Sequence, residues 1–260
     1  DKGCHGVVFF GSTGQSQLIS LSEKIQLINL LPESNYRDKF IIGTGLNSLV
    51  DNINLIKIAK SNGLNKFLIM PPAYYKYSDD DVINFYSRVI DEINECKIIL
   101  YNFEKLSGYK FSIDCVEELV KKFPSQIVGV KDSSYNLYEN LKIDNFSVMP
   151  GSESKLLKGL ELGCSGIITA TTNVTSILAR DVYDKFQNGS DQPSNEKLCL
   201  VRSIFDKFNL ISALHTFMAQ IDHDYQNLIP PLKLLNEKEK KIFFDELQKL
   251  DFDFKHLKAA

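Results

Sequence analysis

The chain has 260 residues, 43% of them hydrophobic and 24% charged, with a formal net charge of -3. That is the composition of a globular protein with one sizeable core, and it excludes a polybasic nucleic-acid footprint or a membrane-spanning run of ~18 apolar residues. Five dispersed cysteines, Cys4, Cys96, Cys115, Cys164 and Cys199, form no C-x-x-C pair, so neither a disulfide framework nor a zinc site is suggested and a reducing cytoplasm fits.

In chain order, Asp1-Lys2-Gly3 reads as the tail of a helix. Seven short apolar runs then recur: Val7 to Phe10, Phe40 to Ile42, Phe67 to Met70, Ile98 to Tyr101, Ile127 to Val130, Phe146 to Met149 and Gly166 to Thr169. Each has the length and β-rich content of a buried strand. Helical periodicity separates them. Leu21, Ile25, Ile28 and Leu31 keep one face, as do Val82, Phe85, Val89, Ile90 and Ile93, and Val116, Leu119, Val120 and Phe123. Start signals precede them: Ser20 and Ser22, Ser78 with Asp81, and Ser112. After Thr175 the strands stop, and residues 177–187, 195–220 and 237–250 read as helices, with Pro230-Pro231 breaking the chain between the last two.

Strands alternating with helices imply parallel pairing and right-handed crossovers. The expected fold class is α/β, a (β/α)₈ TIM barrel with a C-terminal helical extension. A doubly wound sheet is the rival, but its Gly-rich dinucleotide fingerprint at the first βα turn is missing here. Seven of eight strands are visible. The expectation is that the first strand and most of the first helix are missing from this chain. Residues 1–190 would form the barrel, and 191–260 would be C-terminal helices packed on it within the same domain.

In such a barrel the active site lies at the C-terminal ends of the strands. The fifth run ends in Lys131, normally a surface residue. By alternation Ile127, Gly129 and Lys131 share a face, and Gly129 would leave space below the lysine. Desolvation there would favour the neutral amine, which attacks carbonyls and forms Schiff bases. The first run ends in Gly11-Ser12-Thr13-Gly14, a tight turn whose N–H groups and hydroxyls suit a carboxylate. Tyr101 ends the fourth run, where a hydrogen-bonded tyrosine serves as a proton shuttle or simply packs. Small residues end the last two runs, and Tyr74-Tyr75-Lys76-Tyr77 follows the third as a loop that lines a pocket or packs on a partner subunit. Asp79 to Asp81 read as a dipole-favoured helix start, and the four histidines show no metal spacing.

Six motifs now stand in order at strand ends: Gly11-Ser12-Thr13-Gly14, Pro72-Ala73-Tyr74-Tyr75, Tyr101-Asn102 with Ser107-Gly108, Val128 to Ser134, Pro150-Gly151-Ser152-Glu153, and Gly163 to Asn173. Together they resemble the dihydrodipicolinate synthase / N-acetylneuraminate lyase family of class I, pyruvate-dependent aldolases. The resemblance implies a Schiff base between Lys131 and a 2-keto acid, with no metal or other cofactor. Tyr101 would shuttle protons and hydrogen-bond Ser12. Ser12 and Thr13 would hold the pyruvate carboxylate. Tyr75 matches a tyrosine lent to a neighbouring subunit, implying a homo-oligomer, a dimer or tetramer. Leu106, Gly151, Glu153 and Ile168 would line the substrate pocket.

Departures bear on substrate. Where the synthase branch has an arginine two residues before the glycine matching Gly108, this chain has Leu106, which has no donor for a carboxylate. The neuraminate lyase branch has an acidic pair where Ser152-Glu153 stands, and a serine where Ala170 stands. Glu104 replaces the proline usual after Tyr-Asn-aliphatic. The favoured substrates are therefore pyruvate with an aldehyde, as in 2-keto-3-deoxy sugar acids. Dihydrodipicolinate synthase and neuraminate lyase activities are the alternatives. A dehydratase using the same Schiff base and a non-catalytic keto-acid-binding barrel are the competing classes. No nucleic acid or membrane partner is expected.

Overall fold

The structure, a computed structural model, describes residues 3–93 and 95–254. Asp1 and Lys2, read above as part of a helix tail, and His256 lie outside them. The chain forms two compact units, His5–Gly151 and a second built from Ser152 onward with the first few residues.

The first unit is a parallel six-stranded sheet in the order β1 (Val7–Phe9), β2 (Phe40–Gly43), β3 (Lys66–Ile69), β4 (Lys97–Asn102), β5 (Ile127–Asp132) and β6 (Ser147–Pro150). Each strand pairs with the next in sequence, so the winding never reverses as it does in a doubly wound sheet. The arrangement is an α/β, TIM-barrel-like one. Helices α1 (Leu21–Leu30), α2 (Leu49–Ser61), α3 (Asp79–Asp91), the single turn α4 (Glu104–Ser107) and α5 (Ile113–Lys122) connect the strands. The serine signals act as expected. Ser20 and Ser78 form capping boxes with Glu23 and Asp81, and the Ser112 side chain accepts from the Cys115 N–H. The buried helix faces (Leu55, Ile56 and Ala59; Val82, Tyr86 and Val89; Val116 and Leu119) and strand residues Ile42, Phe67, Ile69, Ile98, Leu100 and Val130 supply the core.

Between Ile98 and Ile99 the β4–β5 register shifts by one residue: Ile127 stands beside Ile98, but Gly129 stands beside Ile99. Neighbours in a parallel ladder share a face. Ile127 therefore turns to the face of Ile98 and Leu100, while Gly129 and Lys131 share the face of Ile99 and Tyr101. The expected common face of Ile127 and Lys131 is corrected by this irregularity. Gly129 also has a different use from the one expected. A Cβ there would stand 2.6 Å from the Ser147 carbonyl oxygen, so the glycine lets β6 approach β5.

The second unit holds α6 (Leu156–Glu161), α7 (Thr172–Gln187), α8 (Ser194–Phe205), α9 (Leu210–Met218) and α10 (Glu237–Lys249). Val201, Phe205, Leu214, Phe217, Phe243 and Leu247 form one of its cores. Two expectations are corrected. The helix read over 195–220 is two helices, because Asn209 leaves the helical conformation and caps α9 through its side chain. Gly166 to Thr169 joins no ladder among the described residues, and Gly166 sits at φ 141, outside the β region of L-residues. No helix among the described residues is long and apolar enough to cross a membrane.

Candidate active site

The C-terminal ends of β4 and β5 bring two of the singled-out side chains together. Tyr101 and Lys131 are register partners, so both project from the same face at the same height. The Lys131 amine lies 4.2 Å from the centre of the Tyr101 ring, within cation–π range. Lys131 is only 8% exposed and Tyr101 only 5%. The Tyr101 hydroxyl in turn shares a 3.1 Å hydrogen bond with the Ser12 Oγ.

Ser12 owes its position to a sharp turn at the end of β1. Phe10 takes φ 55 and Gln15 φ 56. The Gln15 N–H donates to the Ser12 carbonyl at 3.1 Å and the Ser16 N–H to the Gly11 carbonyl at 3.4 Å. Ser12 and Thr13 are half-buried on this turn.

A second buried layer fixes the two strand ends. Asn102 and Asp132 follow Tyr101 and Lys131 and are themselves register partners, both fully buried. The Asn102 amide donates to Asp132 Oδ1 and to Asn136 Oδ1, each at 2.8 Å. Its Oδ1 accepts from the Phe111 N–H at 3.1 Å. The Asp132 carboxylate further accepts the backbone N–H groups of Tyr135, Leu137 and Tyr138 at 2.9, 2.9 and 3.0 Å. A carboxylate so ligated holds the turn after β5 in one shape. Both residues stand within the ordered motifs, where sequence alone assigns them no role. The available signal was a polar residue directly after each functional one, where a strand end should turn away from the face in use. The Gly151 N–H donates to the Asp132 carbonyl at 2.9 Å, tying the end of β6 to the same point.

The other singled-out residues lie elsewhere. Tyr75 is 67% exposed, and its ring meets Tyr74 edge-on at 5.1 Å. Leu106 is 44% exposed on α4. Glu153 and Ile168 belong to the second unit. Ile168 is half-buried. Glu153 is fully buried, and its Oε2 accepts from Arg202 Nη1 and Thr169 Oγ1, each at 2.8 Å. Arg202 also donates through Nε to Asp206 at 2.9 Å. Burial works against the Arg202 charge, but Asp206 and Glu153 outweigh it and hold the guanidinium above its ordinary range.

Residues 1–250 match the model of the dihydrodipicolinate synthetase family. Among named relatives, the chain is 29% identical over 221 residues to an uncharacterised DapA-like lyase of Chloroflexus aurantiacus, covering 82% of this chain and 74% of that protein. It is 32% identical over 215 residues to a 4-hydroxy-tetrahydrodipicolinate synthase of Listeria monocytogenes, covering 78% and 72%. Its fold matches that of YagE, an Escherichia coli K12 prophage protein of the dihydrodipicolinic acid synthase family solved with pyruvate. The TM-score is 0.86 at 22% identity, over 96% of this chain and 88% of that one. With the family model spanning nearly its whole length, the chain belongs to the dihydrodipicolinate synthetase family of pyruvate-dependent lyases.

Proposed function

We propose that the protein is a class I aldolase that makes or breaks a carbon–carbon bond at C3 of pyruvate through a Schiff base on Lys131. The observation that carries this reading is the contact of a buried lysine with a tyrosine on the neighbouring strand, the tyrosine being hydrogen-bonded to Ser12. The Lys131 amine adds to the C2 carbonyl, and water leaves as the iminium forms. The iminium accepts the electron pair released from C3, so an enamine replaces an unstabilised carbanion. Tyr101 carries protons to and from the substrate hydroxyl, with Ser12 as its hydrogen-bond partner. Ser12 and Thr13 hold the carboxylate at the Gly11–Gln15 turn. Tyr75 completes the proton path of a neighbouring subunit in a homo-oligomer, a dimer or tetramer, and its exposure supports that role. Gly151 and Leu106 line the substrate pocket.

The preferred substrates are 2-keto-3-deoxy sugar acids. Leu106 supports this choice, because the site loses at that position the donor a carboxylated aldehyde needs. The Arg202 and Thr169 bonds to Glu153 Oε2 support it too, because they tie down the one acid that would recognise a neuraminate. Dihydrodipicolinate synthesis is the second reading, favoured by the names of the relatives. Two assays separate the readings. Release of pyruvate from a panel of 2-keto-3-deoxy sugar acids supports the first. Condensation of pyruvate with aspartate semialdehyde, in the absence of such release, would replace it with the second. The protein is taken to work in the cytoplasm.

A further inference from the structure

Lys24 on α1 is completely buried. Among the described residues no carboxylate lies within ion-pair distance of it, and its Nζ donates only to backbone carbonyls, Thr44 at 3.0 Å and Gly45 at 3.4 Å. Burying an ammonium without a counter-charge costs stability. A methionine would fill the same stem volume without that cost. What lysine adds is a pair of charge-assisted bonds aimed at one short stretch of chain.

That stretch follows β2 at its C-terminal end and presses on the turn that carries Ser12. Gly45 takes φ 57, and a Cβ on it would run into the Ser16 Oγ. Ser16 is buried, and its N–H closes the Gly11–Gln15 turn on the Gly11 carbonyl. Phe10, the residue entering the turn, has its ring centre 5.7 Å from the Lys24 amine. Contact therefore runs from Lys24 through Thr44 and Gly45 to Ser16, to the turn, and from Ser12 to Tyr101.

We infer that Lys24 is a positioning residue: it clamps the end of β2 against the Gly11–Ser16 turn, so that Ser12 and Thr13 are preset for the keto-acid carboxylate. The inference rests on the carboxylate role proposed for those two residues. A preset turn lowers the ordering cost of binding, so the clamp belongs to KM rather than kcat.

The test compares the full chain with Lys24→Met by hydrogen exchange and by pyruvate kinetics. In Lys24→Met, amides of residues 11–16 and 44–46 exchange about tenfold faster while those of α3 and α5 are unchanged. KM for pyruvate rises about tenfold with kcat little changed. Unaltered exchange and KM in the folded variant would overturn the inference. So would a loss of protection spread over the whole unit, since that marks a plain structural role. If Lys24→Met does not fold, Lys24→Gln, which keeps a donor without the charge, takes its place in the same comparison. The exchange measurement needs no substrate. A wild-type protein that forms no pyruvate adduct therefore removes the aldolase reading alone, and the exchange result still decides the clamp.

Discussion

At Lys131 two requirements meet in one side chain: a strand residue packed to 8% exposure, and an amine facing an aromatic ring. Tyr101 supplies the ring, and its hydroxyl is engaged by Ser12. Tyr101→Phe keeps the ring and removes the proton carrier, so kcat should fall by about 10²–10⁴ while adduct formation on Lys131 persists. Steady-state kinetics beside adduct mass spectrometry checks this, and an unaltered kcat would remove Tyr101 from the proton path. Lys24 offers a pH test. Burial lowers its pKa from 10.5 to about 8. Below about pH 8 both the folded and unfolded chains carry the charge, and the folded one bears its burial in full. Between there and 10.5 the folded chain has released a proton that the unfolded chain keeps, so stability rises with pH across that window. Relative to Lys24→Met, the wild type should gain on the order of 2 kcal/mol from pH 8 to 10 in urea unfolding, and parallel curves would contradict this. Lys131, Tyr101 and Ser12 were legible as candidates because each ends an apolar run. Asp132, Asn102 and Lys24 were not, because their importance lies in what the fold places around them.

The strands of the first unit are readable from runs of Val, Ile, Leu and Phe, since a strand buried on both faces leaves a continuous apolar signature. The caps on α1, α3 and α5 were legible too, since a serine just before a helical run is a local device, joined on α1 and α3 by an acid three residues on. Long-range pairing was not. The shift at Ile98–Ile99 moves Ile127 to the opposite face from the one alternation assigns it, and a single strand carries no mark of its neighbour's register. The same limit hid the use of Gly129. Gly129→Ala puts a methyl 2.6 Å from the Ser147 carbonyl, which should cost about 1–3 kcal/mol by denaturant unfolding as β6 is forced off β5. A neutral result would show that β6 yields freely. The break between α8 and α9 was carried by Asn209, a cap signal overlooked within an otherwise periodic stretch.

At the scale of the whole molecule, the family assignment and the α/β architecture were both accessible from ordered motifs at strand ends, while the motifs leave the substrate open. The exposed Tyr75 bears on assembly. If it serves a neighbouring subunit's site, mixing Tyr75→Phe subunits with Lys131→Met subunits should restore part of the activity that each lacks alone. Mixed oligomers then hold sites with both an intact lysine and an intact tyrosine. Activity no greater than the sum of the separate variants would place Tyr75 outside the path. Covalent capture of a keto acid by one lysine is the step on which the proposed chemistry depends. The most direct measurement is incubation with pyruvate and sodium borohydride followed by peptide mapping in a mass spectrometer. A reduced pyruvyl adduct is expected on Lys131 and none in Lys131→Met. A folded wild-type protein without an adduct, or with the adduct on another lysine, would contradict that chemistry.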